Sequence, residues 1–442
     1  MAHPIKSLNP DKSGPVPGAA SRIADAERRR RRQWRAMLPA LISPFLALAL
    51  ALRYPRDPST KNVVWLFTIF YGTVFYIASG SGADSVRYAE QLLVMHDPEF
   101  GVFELVGNFF AGGAGYRDCC QPVVTFLVSR VTGETWLLFG TFGVLLGYVY
   151  SRNVWFLIDR LPNRPGFALW LFVIAFAFAV SIGNSLNGVR MWTALHVFIF
   201  GILHFADRKQ PKFLLVALLS PLIHFSFLIP SALLLAFLFL KRFGPAIYVF
   251  FVASFFVAAL DVTLIRSAME YLPATMSERV IRGYVDPSAR IVLGDDALRE
   301  RAWFLVLNSS LVPAFVFLAS TWLFLRRAHE REGVVKFLFL FGILIYAGVN
   351  LTDHIGSAGR FFRIGEMLII GAVVLLLSEP ARAKKLDFQV AGVLLPLLAI
   401  NIALGVRVFL DFASFWLIAG NFFVAPFVDA DIGLYEFIRE RI

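Results

Sequence analysis

The sequence predicts an all-α fold, a polytopic transmembrane helix bundle with about 12 spans. Three observations predict it. Hydrophobic residues make up 58% of the 442, only 17% are charged, and mean hydropathy is +0.67; a soluble chain carries about 25% charged residues. The apolar residues gather in runs close to the roughly 20 residues a helix needs to cross a hydrocarbon core. Lys and Arg, which outnumber Asp and Glu by 42 to 31, collect in short connections between those runs.

Backbone polar groups in lipid must be bonded within their own segment, so runs this apolar read as helices. They lack the alternation, in stretches of about 10 residues, that marks a membrane barrel. Clear spans fall near 62–80, 134–152, 166–183, 188–205, 244–265, 303–325, 337–351, 361–378, 388–406 and 408–427. Residues 212–240 hold Pro221 and Pro230 with His224 between them. As one helix the segment would be about 43 Å long, too long for a simple span, so it reads as two short helices meeting at Leu222 to Phe225. The apolar stretch 119–131 is too short to cross and fits a re-entrant or interfacial helix. Residues 37–52 have basic flanks on both sides and contain Pro39 and Pro44, which leaves a crossing and a re-entrant segment both open.

The basic connections are Arg152 to Arg164, Arg208 to Lys212, Lys241-Arg242, Arg326 to Lys336 and Arg382 to Lys385. Short positive loops face the cytoplasm. The charge is therefore a topology signal and not a nucleic-acid footprint; the expected partners are membrane lipids, with no nucleic acid. The chain divides into a basic, disordered cytoplasmic tail over 1–36, a transmembrane helical domain over 37–430 with outer loops 81–133 and 267–302, and a cytoplasmic tail over 431–442. No cleavable signal segment is expected. The adjacent Cys119 and Cys120 can close no useful loop and make no zinc site, so they are read as packing residues. No Gly-rich phosphate loop or metal motif stands out, and neither a cofactor nor a metal is expected.

Ionisable groups at helix ends in a membrane protein are functional candidates. Here they fall on one side, the outer one. Asp84, Arg87 and Tyr88 follow the first firm span. Asn184, Asn187 and Arg190 open the helix after the outer turn at 184–187. His224 sits at the break in 212–240. Arg279, Arg282 and Tyr284 lie in the long outer loop, and Asp353, His354, Arg360 and Arg363 near the turn at 352–360. Each has a plainer reading. Asp84 also suits a helix N-cap, His224 a packed turn, Arg190 and Arg360 snorkelling to lipid phosphate, and Arg279 and Arg282 a solvated loop. Arginine on the outer side runs against the positive-inside bias, which binding of an anion there would explain.

The pattern Asp84-x-x-x-Tyr88, Asn187-x-x-Arg190 opening a helix, and His224-Phe-Ser resembles the EpsG family over roughly residues 60–380. Met191 and Trp192 after the arginine, and the long basic tail, depart from the family pattern. That family is similar to Wzy-type polysaccharide polymerases, with a fold related to the GT-C membrane glycosyltransferases. The resemblance implies a GT-C-like bundle in the bacterial inner membrane. It implies joining of undecaprenyl-diphosphate-linked oligosaccharide repeat units into an exopolysaccharide or O-antigen-type polymer at the periplasmic face. Its implied partners are the undecaprenyl-diphosphate-linked glycan and a polysaccharide export or chain-length-control complex. Single addition by a GT-C-type transferase and transport of the intermediates are the alternatives.

On this reading Asp84 is the expected base, with His224 as rival, since an imidazole titrates near pH 6.5. Arg87, Tyr88, Asn187, Arg190, Arg279, Arg282, Asp353, His354, Arg360 and Arg363 are the expected contacts to substrate and diphosphate. A guanidinium keeps its charge and offers a planar fork to phosphate oxygens. Arg190 and Arg360 are expected to approach one another.

Overall fold

A computed structural model describes residues 38–77, 83–111, 116, 118–257, 303–352, 358–379, 388–428, 430 and 433–441. Among these the chain is helical, with isolated bridges at Phe75–Ala413 and Ser414–Gly433 in place of a sheet. The expected disordered tail and the centre of the long outer loop, with Arg279, Arg282 and Tyr284, lie outside the described residues, as do Asp353 and His354.

Among the described residues, five stretches are long and apolar enough to cross a membrane: Phe167–Asn187, Val189–Arg208, Val334–Thr352, Gly359–Ser378 and Ala391–Asp411. The chain is a multi-pass helical membrane protein. Some of the other expected spans form shorter helices, among them α2 (Thr60–Thr73), which follows α1 (Pro44–Leu52). The run 408–427 is not one helix. The long helix Phe388–Asp411 takes its first residues, and only the single turn Trp416–Ala419 follows before Gly420. The reason is local. The Asn421 side chain accepts from the N–H groups of Phe423 and Val424 at 2.9 and 3.1 Å, and Pro426 has no N–H to give a helix.

Next come α3 (Asp84–His96), α4 (Val102–Phe110) and α5 (Cys120–Ser129), then the 24-residue α6 (Thr135–Ile158). Helix α6 packs along α2 through glycine. A Cβ at Gly143 would lie 2.6 Å from the Thr68 carbonyl oxygen, and one at Gly147 would lie 2.7 Å from Thr68 Cβ. Small residues let the two backbones approach, the usual means of helix association in lipid. Trp65 Nε1 donates to the Val144 carbonyl at 2.9 Å across the same contact.

The chain continues through α7 (Phe167–Phe178), the short α8 (Ile182–Asn187) and α9 (Val189–Arg208), which packs on α6. Helix α9 gives the molecule its two ends. Arg190 stands at its start. Asp207, 17 residues on, bonds Arg160 at 2.7 Å, beside the connection where Arg56 donates to the Leu161 carbonyl. At 1.5 Å per residue those ends are about 26 Å apart. Most of the basic connections cluster at the Asp207 end, and the candidate residues described below at the Arg190 end.

Residues 211–240 break as expected. Helices α10 (Pro211–Leu218) and α11 (Ser220–Ile223) give way at His224, which is extended at φ −146° and ψ 114°. A 3-10 turn, Phe225–Phe227, then leads into α12 (Leu228–Leu240). Pro221 favours a helix start and Pro230 lies in the first turn of α12, so both prolines sit where a missing N–H costs little. After α13 (Gly244–Ala253), helices α14 (Trp303–Leu325), α15 (Val334–Thr352) and α16 (Phe362–Ser378) complete the core with α17 (Phe388–Asp411). Ring contacts at 5.7 and 5.4 Å join Phe198 of α9 to Phe227, and Phe227 to Phe361 in the turn Ala358–Phe361. The break at His224 is thus clamped between α9 and the turn that carries Arg360.

Candidate functional site

The centre of the site is Asp118, which sequence reasoning did not single out. Its side chain is 1% exposed, and it lies just before α5. Oδ1 accepts from the backbone N–H of Phe225 at 2.7 Å. That donor is available because the helix is interrupted at His224. Oδ2 accepts from Arg190 Nη1 at 3.1 Å and faces His224 Nδ1 at 2.9 Å. Cys119 Sγ donates to the Leu222 carbonyl at 2.7 Å, a second tie between the two segments.

Burial pushes the Asp118 carboxyl up. The hydrogen bond from His224, the charges of His224 and Arg190, and the Phe225 N–H outweigh it and hold the carboxyl below its ordinary range. An ionised carboxylate only accepts hydrogen bonds, so Nδ1 of His224 carries the hydrogen on this contact. In the neutral ring, Nε2 then holds the lone pair. This is the arrangement in which a carboxylate orients an imidazole for proton transfer. The side chains of His224 and Arg190 are 12% and 26% exposed, so both are reachable while Asp118 behind them is not.

Tyr88 and Arg190 meet. Arg190 Nε donates to the Tyr88 hydroxyl at 3.2 Å, and the guanidinium carbon lies 5.8 Å from the ring centroid. Tyr88 is buried and fixes one edge of the guanidinium while Asp118 fixes another. Asn187 serves the same assembly from below. Its Oδ1 accepts from the N–H and hydroxyl of Ser85 at 3.3 and 2.8 Å, which anchors the start of α3.

Asp84 stands in the first turn of α3 and pairs with Arg87 one turn along. An acid there is favourable at the positive end of the helix dipole. The carboxylate that meets His224 is Asp118, not Asp84. Arg363 also has a different partner from the one expected. Its Nη1 lies 2.5 Å from Oε2 of the fully buried Glu366, whose Oε1 accepts from Asn401 at 2.7 Å. Arg360 is exposed, next to the Phe361 ring that packs on Phe227. Among the described residues no three His, Cys, Asp or Glu side chains gather as a metal would need.

The one signal that could have found Asp118 is its place. It is a lone acid directly before the apolar stretch 119–131, inside the loop assigned to the same side as His224. Its partners lie 72 and 106 residues away in sequence, and no periodicity connects them.

No curated protein and no solved structure matches the chain. A family model does, over residues 136–409, which include Asn187, Arg190, His224, Arg360 and Arg363 and leave Tyr88 and Asp118 just upstream. The chain belongs to the EpsG family.

Proposed function

We propose that the chain is a membrane polysaccharide polymerase that joins lipid-diphosphate-linked oligosaccharide repeat units at the periplasmic face of the bacterial inner membrane. Family membership and the membrane-spanning helices support the broad reading. The observation that carries the chemistry is the meeting of a partly accessible imidazole, a buried carboxylate and a guanidinium: His224, Asp118 and Arg190.

In the proposed reaction, His224 Nε2 takes the proton of an acceptor sugar hydroxyl. The oxygen forms a bond to the donor's anomeric carbon as the bond from that carbon to the diphosphate oxygen breaks. The electron pair stays on the departing lipid diphosphate. Asp118 holds the ring in the required tautomer and stabilises the imidazolium that forms. Arg190 faces the growing negative charge, where fixed cations lower a barrier most. General-base catalysis of this kind contributes about 10²- to 10⁴-fold.

A transporter of the same intermediates has one feature in its favour, the carboxylate of Glu366 inside an apolar span. Arg363 and Asn401 occupy both of its oxygens, which suits a structural pair better than an ion path. Analysis of lipid-linked sugars separates the readings. Cells lacking the chain should accumulate single lipid-linked repeat units on the periplasmic side and make no polymer. Accumulation on the cytoplasmic side would favour transport instead.

A further inference from the structure

A second cavity lies at the same end of the bundle as Arg190. Helices α2 and α6 both have their other ends at the Arg56–Arg160 side, so the Thr73 end of α2 and the Thr135 end of α6 share the site's end. Between them is a cavity of about 550 Å³, within the size range of small-ligand sites. Its walls include Thr73, Tyr76, Glu134, Thr135, Trp136 and Pro426. Glu134 is exposed and makes no side-chain cap bond to the helix it precedes; Tyr76 and Trp136 are half-buried. The cavity adjoins the reaction centre through packed rings. Tyr88 meets Phe142 at 6.0 Å, Phe142 meets Phe139 at 5.8 Å, and Phe139, which lines the cavity, stacks on Phe75 at 4.8 Å.

We infer that this cavity holds sugar residues of the acceptor glycan, away from its reacting end. The inference rests on the polymerase reading. Its own grounds are the lining. Indole and phenol rings offer apolar faces of the right breadth for the C–H face of a pyranose, together with a polar edge. The Thr135 hydroxyl, the Thr73 hydroxyl as an acceptor (it donates to the Phe70 carbonyl at 2.8 Å) and the exposed Glu134 carboxylate can bond sugar hydroxyls. A lipid chain would want none of these polar groups, and a diphosphate would be repelled by Glu134. The separation also fits. The cavity lies at the site's end of the bundle, within three ring spacings of Tyr88, so a glycan whose end lies at His224 can reach it. A hold on sugars behind the reacting end keeps a growing chain engaged between additions. The cavity therefore sets product length.

Gel analysis of polysaccharide from cells expressing Trp136→Ala, Trp136→Tyr and Glu134→Gln, with membrane levels of the protein matched, tests this. Trp136→Ala and Glu134→Gln should shorten the modal chain at least about threefold, with joined products of two or three repeats accumulating. Trp136→Tyr, which keeps a ring with a polar edge, should restore most of the length. Wild-type lengths in both Trp136→Ala and Glu134→Gln would overturn the subsite and leave the polymerase reading standing. If Trp136→Ala fails to reach the membrane, an unchanged length in Glu134→Gln alone overturns it. Polymer of normal length from cells without the chain would overturn the polymerase reading, and the subsite with it.

Discussion

Asp118 and Glu366 are both buried carboxylates beside an arginine, and they are built in opposite ways. Glu366 takes Arg363 from the preceding turn of its own helix, at 2.5 Å, and Asn401 from α17, at 2.7 Å. Both oxygens are occupied and the residue is fully buried. Such a closed pair holds two helices in register, and breaking it leaves a charge without its partner. Asp118 instead gathers donors from α9 and from the break at His224–Phe225, remote from it in sequence. Two of those donor side chains stay partly exposed. A pair made from local neighbours supports the fold, whereas one that draws separate segments to a reachable point builds a site.

Substitutions can break this contrast. The largest effect is expected at His224. His224→Gln keeps a polar side chain at the break but cannot take up the proton, and should cut transfer by about 10²- to 10⁴-fold with normal folded yield. A loss below tenfold, measured on purified protein, would remove the imidazole from the chemistry. Glu366→Gln should do the reverse. It strands Arg363, which is still partly exposed, so the cost falls below that of a fully buried pair, at about 2 kcal/mol. Thermal unfolding in detergent should report that loss, while activity per folded molecule stays near wild type. Low activity in fully stable Glu366→Gln protein would erase the distinction drawn between the two carboxylates.

Smaller effects sharpen it. Arg190→Lys keeps the charge but cannot bond Tyr88 and Asp118 through separate edges of one planar group, and should lower the rate about tenfold. Activity equal to wild type would reduce Arg190 to a general surface cation. Asp84→Asn should change activity less than about threefold. The pair it breaks involves an Arg87 side chain that is 64% exposed, and such pairs contribute little. A dead Asp84→Asn enzyme of normal stability would return the base to that position.

The break in 211–240 is legible in the sequence because it has a local cause, Pro221 and Pro230 in a stretch too long for one span. Tyr88, Asn187 and Arg190 are legible as polar residues at helix ends, and the structure brings them into one assembly. Asp118 is hidden because its meaning comes only from folding: nothing in Tyr-Arg-Asp-Cys-Cys announces partners in α9 and beyond α11. Arg363 shows the converse. Its spacing of three from Glu366 permits a helical pair, while the affinity of arginine for phosphate favours the other reading. The span count is obscured by composition, since 408–427 is apolar enough to cross while Asn421 and Pro426 bend it locally.

The central claim is that a carboxylate at 118 orients the base at 224. Its most direct test is the single-turnover rate of purified Asp118→Asn against pH, with a lipid-diphosphate glycan as donor. The folded Asp118 carboxyl is held below its ordinary range, so its contribution to stability is complete above the unfolded value near 3.9 and is lost as pH falls through the lower folded value. In the wild type it is therefore ionised throughout pH 5 to 8. Asp118→Asn should retain donor binding and lose rate by about 10²- to 10⁴-fold throughout that range, because the ring is no longer held in the tautomer that leaves Nε2 free to take the proton. A rate matching the wild type across pH 5 to 8 would contradict the account.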